Sequence, residues 1–119
     1  MPLVEVHLHR AVFDAAHEDI GRAIHDAQID ALGIPEDDLF QVFSPHDPGE
    51  LRFDPGYNGV DRRDLVLIRI VAVHMYSVAT KQKFFAAVVD RLTSLGIRPE
   101  DVLISWTENA FEDWYAGRL

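Results

Sequence analysis

The amino-acid sequence predicts an α/β protein built from two strand–helix–strand units in tandem. These join into a four-stranded mixed sheet with both helices on one face. Three observations predict this. Leu32-Gly33-Ile34-Pro35-Glu36-Asp37 recurs as Leu95-Gly96-Ile97-Arg98-Pro99-Glu100-Asp101. Each copy closes an apolar stripe of helical period. Each stripe is flanked on both sides by strand-like runs.

The first run, 2–8, begins with Pro2, which suits a strand start because proline lacks an N–H. The first stripe places Ala16, Ile20, Ala23, Ile24, Ala27 and Ala31 on one helix face. Asp14 is its expected N-cap and Gly33 its stop. Phe40–Phe43 is the next strand. A connector over 45–64 follows, with turn signals at Pro48-Gly49, Pro55-Gly56 and Asn58-Gly59. Leu51-Arg52-Phe53 is expected as a short strand inside it. The run 65–73 is apolar at nearly every position, the pattern of a strand buried on both faces. The second stripe comprises Phe84, Phe85, Val88, Val89, Leu92 and Leu95, capped by Ser77 and stopped by Gly96. The last strand is 102–106. A helical crossover makes the flanking strands of each unit parallel and its connection right-handed. The whole of 1–119 is expected as a single domain, with units of about 2–44 and 65–107. Two helices cover one sheet face only, so the other face calls for a partner subunit or for the C-terminal segment folded over it.

Composition narrows the function classes. The chain has 119 residues and a net charge of −9, which disfavours nucleic acid and anionic membrane surfaces as partners. It contains no cysteine, so disulfides, thiolate zinc sites and a cysteine nucleophile are excluded. No apolar run approaches membrane-spanning length, and no segment reads as a signal peptide. A cytoplasmic location is the expectation.

Pro2 carries the sharpest chemical signal. Without Met1 its nitrogen is a free secondary amine, aimed by the ring. An α-amino group titrates near roughly 8, and an apolar pocket lowers that by disfavouring the charged form. With Met1 retained the nitrogen is an amide and cannot act as a base.

The ordered set of motifs resembles the tautomerase superfamily. It comprises the initial proline, the segment Leu32–Val42, the loop motifs His46-Asp47-Pro48-Gly49-Glu50 and Phe53-Asp54-Pro55-Gly56-Tyr57, Thr80-Lys81-Gln82-Lys83, and Glu108-Asn109 with Glu112-Asp113-Trp114. The likeness covers essentially the whole chain and is greatest to the malonate semialdehyde decarboxylase branch. It implies a homotrimer with Pro2 as the catalytic amine and Asp38 as the carboxylate that works beside it, without a cofactor. Two arginines that bind the substrate carboxylate in the decarboxylase correspond to His74 and Tyr76 here. That is a departure, because neither residue presents a bidentate guanidinium. The shorter end after Trp114 implies a more open site or one completed by neighbouring subunits.

On these grounds Pro2 and Asp38 are the candidate catalytic residues, and His74, Tyr76, Arg69 and Trp114 the candidate substrate-binding residues. Arg69 interrupts an apolar strand and requires a partner, as an ion pair, a subunit contact or a substrate clamp. Arg52, Arg62 and Arg63 are expected to be solvated. His7 and His9 alternate with Glu5, but no further ligand follows at a metal-site spacing, so no metal is expected. Trp106 and Phe111 are assigned to core or interface. The expected activity is acid–base chemistry on a small anionic carbonyl compound, giving tautomerisation of a 2-oxo acid or enol. Decarboxylation or hydration of a three-carbon acid is the alternative, and a non-catalytic oligomeric binding module is the competing class.

Overall fold

The computed structural model describes residues 2–119. Whether the Pro2 nitrogen is free turns on Met1, which lies outside the described residues. The chain runs β1 (Leu3–His9), α1 (Arg10–Leu32), β2 (Gln41–His46), β3 (Val66–Val73), α2 (Val78–Ser94) and β4 (Val102–Asn109). Short 3₁₀ turns lie at Tyr57–Gly59, Pro99–Asp101 and Phe111–Asp113. The strands form one sheet in the order β2-β1-β3-β4. Each unit pairs its own strands in parallel, β1 with β2 and β3 with β4. The units join through antiparallel β1 and β3, with Glu5 opposite Arg69.

Alternation along the strands sends Val4, Val6, Leu8, Ile68 and Ile70 to one face, where they are fully buried. Ile20, Ala23, Ile24 and Ala27 of α1 and Phe84, Val88 and Leu92 of α2 close over that face in one core. Helix ends follow local chemistry. Gly33 terminates α1 at φ 70°, a left-handed conformation that favours glycine. The Ser77 side chain accepts from the Thr80 backbone N–H and caps α2.

Three expectations need correction. Helix α1 begins at Arg10 with His9 as an N-cap that makes no side-chain bond, so Asp14 lies inside the helix. Val12 and Phe13 pack against the core, and this burial carries the helix one turn further back than the cap signal. Residues 51–53 join no strand ladder. The connector is organised instead around Arg62, which is buried. Its Nη1 donates to the carbonyls of Asp54 and Tyr57, and its backbone N–H to Pro55. A guanidinium with several fixed donors can satisfy carbonyls that a loop leaves unpaired. Within this one chain the helices cover one face of β3, as two helices allow. Val66, Ile68, Ile70 and Ala72 are covered there, while on the other face Val73 is buried, Leu67 and Val71 are half-buried and Arg69 is exposed. The C-terminal segment leaves the second face open, with Val42 and Leu103 exposed there.

Phe84 has no exposed surface and belongs to the core that both helices' stripes form, with its ring against those of Phe85 and Trp106. Phe84→Ala is expected to lower unfolding stability by about 3–5 kcal/mol in urea titration. A loss below about 1 kcal/mol would mean that the two helices do not share one core.

Candidate functional site

One end of the sheet collects the start of β1, the approach to β2, and the ends of β3 and β4. The register explains why. Leu3 lies opposite Val71, so one residue back along β1 brings Pro2 level with Ala72. Ala72 in turn lies opposite Glu108. Pro2 is buried and shares the alternation of Val4 and Val6, toward the helices. The Val4 backbone N–H donates to the Phe40 carbonyl at 3.0 Å. That bond fixes the segment carrying Asp38 beside the start of β1.

Asp38 sits in a turn whose backbone N–H donates to the Pro35 carbonyl at 3.1 Å. It is half-buried. Its negative charge reaches Tyr76. Burial first, and then Asp38, hold the Tyr76 phenol above its usual pKa. Tyr76 therefore remains a hydroxyl donor through neutral pH. Its ring stands edge-on to Trp106, with centroids 5.6 Å apart at 87°.

His74 and Tyr76 do not extend the strand. β3 ends at Val73, and the His74 backbone N–H donates to the Asn109 carbonyl at 2.8 Å. Beyond this bond the chain leaves the sheet for α2, with the His74 side chain exposed and the Tyr76 ring against Trp106. The His74 imidazole pairs with one Glu108 oxygen and the Lys81 ammonium with the other. Lys81 Nζ also lies 6.0 Å from the centre of the Trp106 ring. The Lys81 contact, followed by that of His74, holds the Glu108 carboxyl below the ordinary glutamate range. Trp114 is tied to the same end, its indole N–H donating to Asn109 Oδ1 at 2.8 Å.

The structure thus gathers Pro2, Asp38, His74, Tyr76 and Trp114 around one sheet end. It does not bring Arg69 there. Arg69 lies mid-sheet on the opposite face, exposed and 3.5 Å from Glu5, because its register position points away from the helices. His7 lies on that same face and contacts His46 at 3.0 Å. Among the described residues no group of three or more histidines and carboxylates has the geometry to hold a metal.

Sequence reasoning gave no role to Lys81 or Glu108 and assigned Trp106 to the core or an interface. One signal was available. Trp106 and Glu108 are two apart on β4 and therefore share a face, while Lys81 lies in the first turns of the helix that crosses it. Their meeting is a tertiary event.

A family model described as tautomerase enzyme matches residues 38–117. The chain belongs to this family. The probable tautomerase YusQ of Bacillus subtilis (strain 168) is 34% identical over 98% of this chain and 94% of its own length. Crystal structures of malonate semialdehyde decarboxylase are also similar. One, of the FG41 enzyme inhibited by 3-bromopropiolate, superposes with TM-score 0.86 at 34% identity, covering 97% of this chain and 88% of that one. Another, from work on the decarboxylase and hydratase activities of the wild-type, mutant and inactivated enzyme, gives 0.89 at 31% identity, with 98% and 91% covered. A fused 4-OT described as a symmetric trimer shares the fold at TM-score 0.79 and 19% identity, over 97% of this chain and 91% of that one.

The depressed Glu108 pKa has a definite pH consequence. A carboxyl held low in the folded state adds stability above its unfolded value, roughly 4.3, and loses it as pH falls through the lower folded value. Carbon-13 NMR titration is expected to give a Glu108 midpoint below that reference, moving upward in Lys81→Met. An unchanged midpoint in the variant would show that Lys81 does not hold the carboxylate.

Proposed function

We propose that the protein is a cofactor-independent enzyme that moves a proton at the carbon next to the carbonyl of a small 2-oxo acid or enol, with Pro2 as the base. The observation that carries this reading is the burial of Pro2 at a sheet end where Asp38, Tyr76 and Glu108 converge. Burial disfavours the protonated amine and keeps its lone pair available near neutral pH. In the ketonisation direction, the amine takes the enol hydroxyl proton. The oxygen's electrons form the carbonyl, and the C=C pair accepts a proton at carbon, which the amine returns. The Tyr76 hydroxyl donates a hydrogen bond to the oxygen while it carries charge. Asp38 stabilises the protonated amine formed between the two transfers. Family membership supports this chemistry, and no metal or cofactor is required for it.

Intact mass spectrometry reports whether Met1 is absent. In protein that begins at Pro2, Pro2→Ala is expected to reduce ketonisation of phenylenolpyruvate by about 10²–10⁴-fold, the usual span of general acid–base catalysis. Undiminished turnover would remove Pro2 from the mechanism. Malonate semialdehyde belongs in the same assay, because likeness to the decarboxylase structures at 34% and 31% identity favours decarboxylation or hydration as a second reading. Loss of guanidinium at both 74 and 76 argues for the weaker activity there.

The open sheet face supports a second element of the proposal, a homotrimer in which this face meets other copies. Val42 and Leu103 are exposed there, alongside half-buried Leu67 and Val71, on either side of the Glu5–Arg69 pair, and such a mix of apolar and charged groups is what a subunit interface covers. Sedimentation equilibrium is expected to give a mass near three times 13.5 kDa. A monomer at micromolar concentration would leave the face without an occupant and overturn the assembly.

A further inference from the structure

We propose that Lys81 receives the carboxylate of the substrate, with Glu108 holding it in position. The inference rests on the reading of this sheet end as the reaction site and names the group that gives it preference for an acid. His74 and Tyr76 supply no permanent positive charge, and Arg69 faces the other way. Lys81 is a cation that the fold does bring to the Pro2 row, through Glu108. Its side chain is 21% exposed, so it is largely covered yet not sealed from solvent. Two constraints aim it, the Glu108 carboxylate on one side and the Trp106 ring at 6.0 Å on the other. An ammonium has three donors. Glu108 engages one, leaving others for an incoming anion.

Glu108 stands in the sheet row that continues through Ala72 to Pro2, which ties this ammonium to the proposed base. His74 takes the second Glu108 oxygen. The carboxylate that would otherwise repel an acid is thereby occupied on both oxygens. Trp106 also carries the Tyr76 ring on an edge, so the proposed carboxylate receptor and the proposed hydroxyl donor flank one aromatic ring. A molecule with a carboxylate adjacent to a carbonyl offers the two oxygens that such a pair can hold.

The test uses benzoylformate, a 2-oxo acid with no proton to lose next to its carbonyl, and its methyl ester, both titrated by NMR against the intact assembly. The unmodified protein is expected to prefer the acid to the ester. Lys81→Gln should weaken acid binding by about ten- to a hundredfold, the loss of one charge-assisted hydrogen bond, and leave the ester unmoved. Lys81→Arg should retain preference for the acid. Glu108→Gln, which frees the ammonium of its counter-charge, should strengthen acid binding. The opposite signs distinguish a receptor from a brace. If Lys81 and Glu108 served only to tie α2 to β4, both neutral variants would weaken acid and ester alike, and that result would overturn the assignment. So would an acid preference unchanged in Lys81→Gln, or no binding of benzoylformate at all. Should Lys81→Gln fail to fold, the gain expected from Glu108→Gln still decides the matter. Binding that follows Lys81 in a protein whose turnover ignores Pro2 would keep this assignment and sink the proposed base chemistry, so the two failures are separable.

Discussion

The antiparallel pairing of β1 with β3 is the constraint on which the rest of the molecule depends. Each strand–helix–strand unit by itself is a pair of parallel strands under one helix, too small to bury both faces of anything. Joined at β1 and β3, the units form one sheet on which both helices share a single core. The antiparallel sense also decides what meets at the sheet end. It sets Pro2 against the last residues of β3, while the parallel pairings bring the approach to β2 and the end of β4 to the same edge. A parallel β1–β3 pairing would send Pro2 to the opposite end from His74 and Glu108.

The same register divides charged side chains into two populations with different surroundings. Positions that alternate with Val4 and Ile70 look toward the helices, where burial and nearby charge alter titration. Tyr76 and Glu108 belong there, and their pKa values move in opposite directions, upward for the phenol and downward for the carboxyl. Positions that alternate with Glu5 look away from the helices. Glu5, His7 and Arg69 form a row of contacts across that face, where partial exposure keeps such pairs weak within one chain.

Much of this architecture was legible in the sequence, because apolar period is a local property. The repeated Leu-Gly-Ile motif, the two stripes, the Gly33 stop and the Ser77 cap all depend on residues within a turn or two of one another. What escaped is what depends on distance. Asp14 is a good cap by type, yet docking of Val12 and Phe13 extends the helix past it. Arg62 looks like a solvated loop cation until the connector curls and presents it with carbonyls. Lys81 and Glu108 are 27 positions apart, and nothing in either neighbourhood announces the other.

A strongly acidic chain can still give its carboxylates very different local surroundings. The net charge here is −9, and two carboxylates, Asp38 and Glu108, stand at the sheet end where Pro2 lies. Each is drawn into a different task. Burial first, and then the charge of Asp38, raise the pKa of the Tyr76 phenol, which preserves a neutral hydrogen-bond donor. Glu108 is occupied by an imidazole and an ammonium, which mutes its charge and anchors a cation at the same time. The distinction follows from neighbours rather than from residue type, since aspartate and glutamate titrate within about half a unit of each other when free. Pro2 is buried at this same end, and the pairing of β3 with β4 is what sets Glu108 in its row, within reach of His74 and Lys81.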